Sequence, residues 1–257
     1  MESNLLLILV TGGLVGAAAG YLGSFMVLKR MALVGDALSH VALPGMAIAL
    51  TFGLSPLLGA VVALGLAVIG VWYLEDRSGI YPEALVGIFF TTSLAIGILL
   101  TPQPDLLEAL FGTIEKVSTP EGVLVAAAAL VLILVTFKIS RHLLLGIVSE
   151  DLAQSVGVDR RKISFIYLIL VGSAVALGVT FVGTILVGGL VIIPAVAARN
   201  ISRGLMDYRF FSIFFGVLSA FSGILLASAL KLPPGPVVIL ACSVFFAVSY
   251  LARSLKW

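Results

Sequence analysis

The sequence predicts an all-α, polytopic transmembrane helical bundle of about nine spans, with eight as the smaller count its boundaries allow, in one domain over residues 1–257. Three observations carry this. The chain is 61% hydrophobic and 11% charged, whereas about a quarter of the residues in soluble domains are charged. Its apolar runs approach the ~20 residues that a helix needs to cross a hydrocarbon core of ~30 Å. The basic residues cluster on alternate connections, as cytoplasmic retention of Lys and Arg requires.

Leu5–Leu28 is the first run. Glu2–Val10 lacks the basic n-region of a signal peptide and the run continues to Leu28 with no cleavage site evident, so it reads as a retained first helix. Leu33–Phe52, Pro56–Leu74 and Glu83–Leu100 follow. Pro102–Glu121 is then an outer loop with Asp105, Glu108, Glu115 and Glu121 against Lys116. Leu106, Leu107, Leu110 and Phe111 recur there at helical spacing, which predicts a short helix over the entrance with a solvated acidic face. Gly122–Ile139 is the fifth span, followed by the inner connection Arg141–Lys162. Ile163–Thr180, the short Thr184–Ala198, Tyr208–Leu230 and Pro236–Ala252 complete the set. With Leu28 at the cytoplasmic face, only Lys116 and Lys231 of the 15 Lys and Arg residues fall outside. That bias predicts nine spans, the N-terminus outside and the C-terminus in the cytoplasm.

The net charge of +2 carries no basic run, so nucleic acid is not a predicted partner and membrane lipid is. Cys242 is the only cysteine. It excludes an internal disulfide and reads as inert core.

Asp36 and His40 interrupt the second run. On a helix their i, i+4 spacing puts both on one face, and ionisable groups inside a membrane segment normally face a cavity or a partner. A carboxylate and an imidazole are ligands for Zn²⁺ or Mn²⁺. Asp36 near the start of its span also suits helix capping. Pro44 has no N–H, which frees the carbonyl of His40 and predicts a kink beside the pair; Pro194 does the same for Leu190. Gly188 and Gly189 permit close approach of another backbone, and packing is the preferred reading of that segment.

Three stretches, in order, carry a family resemblance: Lys29–Gly45 (KRMALVGDALSHVALPG), Ser149–Val158 (SEDLAQSVGV) and Gly183–Arg199 (GTILVGGLVIIPAVAAR). They resemble the zinc/manganese family of ABC importers, in its membrane permease subunit, and the resemblance covers nearly the whole chain. It implies a prokaryotic plasma-membrane permease that receives Zn²⁺ or Mn²⁺ from an extracytoplasmic metal-binding protein. It also implies Asp36 and His40 as metal contacts, and Glu150, Asp151, Ala153 and Gly157 as the coupling segment for a separate ATPase. At Lys231–Pro236 (KLPPGP) the chain has Lys231 where the family pattern carries an acidic residue, so no further ligand is assigned there.

The residues fit those implications. No GxxxxGK[ST] loop is present to cradle nucleotide phosphates, so the chain is not expected to be an enzyme and the energy must come from a partner. Ser149 suits a helix cap, Glu150 and Asp151 its N-terminus, and Gly157 its stop. One Asp and one His make a weak site alone, whereas a two-fold homodimer would supply four ligands. No permanently bound cofactor is expected. The alternative is a secondary metal/proton exchanger without an ATPase, against which the SEDLAQSVGV segment argues. A metalloenzyme lacks the HExxH-type set it would need.

Overall fold

The computed structural model describes residues 2–100, 119–182 and 186–254. Among them the chain forms α-helices only: α1 (Glu2–Leu28), α2 (Ala32–Thr51), α3 (Pro56–Ser78), α4 (Pro82–Leu100), α5 (Thr119–Val148), α6 (Glu150–Ser155), α7 (Arg160–Val182), α8 (Val187–Ile201), α9 (Leu205–Leu230) and α10 (Pro234–Ser254). Seven are long and apolar enough to cross a membrane, and α4 and α8 are shorter apolar helices. The nine predicted runs all map onto these helices. The helix predicted over the outer loop lies outside the described residues, except that Glu121, assigned to the loop, falls in the first turn of α5.

The helix ends follow from local chemistry. Ser55 caps α3, its hydroxyl accepting from the Leu58 N–H at 3.4 Å, with Pro56 in the first turn, where no intrahelical donor is required. At the far end of α6, Gly157 has φ +80°. The Val158 N–H reaches the Ala153 carbonyl and the Gly157 N–H reaches that of Gln154, both at 2.9 Å. This left-handed Schellman closure is the stop that Gly157 predicts. Arg30 and Lys231 close α1 and α9 in the same way despite having side chains, with φ of 61° and 55°.

Packing rests on close backbone contact, as expected where lipid offers apolar surface as good as protein. α1 lies centrally between α9, α5, α8 and α7. Gly16 of α1 and Gly216 of α9 face each other so closely that a Cβ on either would overlap the other's carbonyl. Gly45 of α2 and Gly59 of α3 form a second contact of this kind. Tyr21, Leu22, Phe25, Leu38, Leu64, Val171 and Leu190 belong to one continuous buried cluster. α5 runs past the predicted limit of Ile139 to Val148. At ~1.5 Å per residue it reaches about 45 Å, beyond a hydrocarbon core, and so turns the start of the predicted inner connection into helix.

Candidate functional site

α2 begins at Ala32 with Met31 as its N-cap and no side-chain cap. Asp36 therefore lies inside the helix and does not cap it. The reason is local: the Schellman closure at Arg30 ends α1 and delivers the chain straight into α2, with the Val34 N–H bonding the Met31 carbonyl at 3.1 Å. Leu33, Asp36, Ala37 and His40 form one stripe along α2, exposed at Leu33 and half-buried at the other three, while Val34, Leu38 and Val41 point into the core. The i, i+4 spacing thus puts the carboxylate and the imidazole on the same open face.

Two other helices bound this face. Gly188 of α8 sits against Asp36, and a Cβ added to Gly188 would lie 2.7 Å from the Asp36 Cβ and 2.8 Å from its Oδ1. The predicted close approach at Gly188 is therefore an approach to Asp36 itself. Gly189, its neighbour, packs against Ile239 of α10. On the other side Phe90 of α4 stands 5.3 Å from His40, ring centre to ring centre, at 60°. The His40 Nδ1 is buried without a hydrogen-bond partner. A buried polar nitrogen left unpaired is costly, and an imidazole on the same face as a carboxylate is a ligand set that a divalent cation would use. Among the described residues, no three His, Cys, Asp or Glu side chains gather into a metal-binding group, so Asp36 and His40 stand as a pair within one chain.

Pro44 lies one turn beyond His40 within continuous α2, buried, with Leu43 and Pro44 facing Gly97 of α4. Pro194 is likewise buried inside α8, and that helix continues through it. Cys242 is buried in the core.

The predicted coupling segment folds as α6, opened by Glu150 and Asp151. Ala153 is 4% exposed, and its N–H bonds the Ser149 carbonyl at 3.1 Å. A cavity of about 280 Å³ lies beneath, lined by Ala153 and Val158 together with Lys29, Glu75, Glu83 and Tyr167. The ends of α1, α3 and α5 and the starts of α4 and α7 thus meet at one end of the bundle, as alternating spans demand. Lys29 lies over the Tyr167 ring, 4.4 Å from its centre.

At this end the structure adds residues that sequence reading missed. Arg161, in the first turns of α7, forms an ion pair with Asp76 of α3. The Ser164 hydroxyl donates to Glu75 Oε2 at 2.9 Å, the Trp72 indole N–H donates to the Arg161 carbonyl at 3.3 Å, and the Trp72 ring packs on Phe165 at 4.8 Å. The available signal was an acidic pair ending one span and basic residues opening another.

Comparison with known proteins agrees with the resemblance. The family model described as ABC 3 transport family matches residues 1–253. The chain belongs to that family. It is 31% identical, over 94% of its length and 88% of the relative's, to the manganese import system permease protein ScaB of Streptococcus parasanguinis. It is 29% identical to the high-affinity zinc uptake system membrane protein ZnuB of Haemophilus influenzae, covering 95% of this chain and 96% of that one. Among solved structures it superposes on PsaBC from Streptococcus pneumoniae, captured with a Fab, with a TM-score of 0.82 at 30% identity, over 95% of this chain and 89% of the other. This ABC 3 family chain is therefore a multi-pass membrane permease, and the exchanger alternative loses its ground.

Proposed function

We propose that the chain is the permease of an ATP-driven importer that moves Zn²⁺ or Mn²⁺ into the cytoplasm of a prokaryote across the plasma membrane. The observation that carries the cargo assignment is the half-site on α2: Asp36 and His40 share a half-buried face, and the imidazole has an unpaired buried nitrogen. Manganese and zinc in the names of the relatives support the same ions. An extracytoplasmic binding protein delivers the ion, and two copies of the chain place their α2 stripes toward a shared path, giving two carboxylates and two imidazoles. An incomplete cage per chain suits transport, because the ion must leave.

Energy comes from a separate ATPase docked on the coupling segment Glu150, Asp151, Ala153 and Gly157: Glu150 and Asp151 meet the partner, the buried Ala153 seats α6 on the bundle and Gly157 closes it. The positive-inside bias puts α6 in the cytoplasm, the N-terminus outside and the C-terminus inside. ATP binding rearranges the helices around the half-sites.

The test is uptake by the complete complex in proteoliposomes. ATP-dependent accumulation of Mn²⁺ or Zn²⁺, in the presence of the binding protein, is expected. Accumulation driven by a proton gradient without ATP would overturn the reading.

A further inference from the structure

α6 carries no residue of the half-site, so its motion must reach α2 through other elements. Gly157, in its left-handed turn, passes the chain from α6 into α7 within a few residues. The start of α7 is fixed to the end of α3 by the Arg161–Asp76 pair, the Ser164–Glu75 and Trp72–Arg161 hydrogen bonds and the Trp72–Phe165 ring contact. Further along the two helices, Gly172 of α7 lies against Val68 of α3. α3 in turn meets α2 backbone to backbone at Gly59 and Gly45, five residues beyond His40.

We propose that Trp72, Glu75 and Asp76 of α3 with Arg161 and Ser164 of α7 form a clasp that makes a displacement of α6 a displacement of α2. These are positioning residues for coupled transport, and the proposal rests on the permease reading above. The ion pair is screened from the Arg161 side, whose side chain is 65% exposed against 19% for Asp76, and this limits its part in folding. Its geometric effect is larger. Three polar contacts and one ring contact, spread over one turn of each helix, fix the orientation of α7 as well as its position. Without them α7 can turn under load while α3 stays still.

The experiment uses the complete complex in proteoliposomes and measures Mn²⁺ transported per ATP hydrolysed. Asp76→Asn and Arg161→Gln are each expected to lower that ratio about five-fold, with ATPase co-purification and ATP hydrolysis retained; the exchanged pair Asp76→Arg/Arg161→Asp should recover at least half of it. A merely structural contact would lower the yield of complex and leave the ratio unchanged. Unchanged ratios in both single variants would overturn the clasp alone. A wild-type complex that moves neither Mn²⁺ nor Zn²⁺ would overturn the permease reading and the clasp with it. If the charge variants fail to reach the membrane, Trp72→Phe with Ser164→Ala removes two hydrogen bonds and no charge. That double variant should lower the ratio at least two-fold, and a wild-type ratio there would overturn the clasp.

Discussion

At the residue scale, Asp36 is defined by what is missing opposite it. Gly188 leaves the space that the carboxylate occupies, so its role is steric before it is electrostatic. Asp36→Asn keeps the volume and removes the charge; His40→Ala removes the unpaired nitrogen. Both should lower Mn²⁺ or Zn²⁺ uptake by about ten-fold or more, the equivalent of at least about 1.4 kcal/mol, with the complex still assembled. Gly188→Ala should act in the same direction without replacing a ligand, because its Cβ would displace Asp36. Uptake assays beside size-exclusion profiles check all three. Collapse of the complex in both ligand variants would mean that these side chains hold helices together and do not serve an ion. The i, i+4 pairing was legible in the sequence. The partners Gly188 and Phe90 were not, since they come from helices far away along the chain.

At the element scale, α6 is short, and its ends decide what it does. Val158 and Gly157 close it onto Ala153 and Gln154, which needs a left-handed residue at 157. Gly157→Val puts a β-branched side chain there, at a local cost of about 1–2 kcal/mol. It should therefore reorient the connection from α6 to α7. Combined with Glu150→Gln and Asp151→Asn, it should uncouple ATP hydrolysis from uptake or release the ATPase, while metal binding at Asp36 and His40 persists. Co-purification of the ATPase and uptake by the triple variant measure this, and normal values of both would remove α6 as the contact. The short helix and its stop were readable because the acids that open it and the Gly157 that ends it lie within eight adjacent residues. The length of α5 was not: Arg141 and His142 mark the end of its apolar stretch, yet its last turns pack Leu143 into the core, and tertiary burial extends the helix where composition suggests a loop.

At the scale of the whole molecule, the metal half-site proposed for Asp36 and His40 is unfinished in one chain. Two ligands give weak binding for the desolvation they require, and Leu33 on the same stripe is 75% exposed. A second copy with its α2 stripe facing the first would complete the ligand set and cover that surface. Cysteines introduced by Leu33→Cys or Ala37→Cys, in a background with Cys242→Ser, should cross-link chain to chain with short reagents in the assembled complex. The wild-type chain, whose Cys242 is buried, should give no such product. A functional complex with a single permease copy would end the shared-path mechanism.

The sequence by itself determined the membrane class, the nine apolar helices among the described residues and the i, i+4 placement of Asp36 and His40, because each depends on composition or on spacing within one helix. It also encoded the family, through three motifs lying in order along the chain. Tertiary structure alone decided that Gly188 faces Asp36, that the His40 Nδ1 is buried and unpaired, and that Asp76 meets Arg161 across 85 residues of chain. Contacts between helices depend on how each helix is rotated about its axis, and close approaches such as Gly45 to Gly59 and Gly16 to Gly216 set that rotation. Glycine in the sequence marks where two backbones are able to meet, but not which two; the joint packing of all the helices selects the pairs.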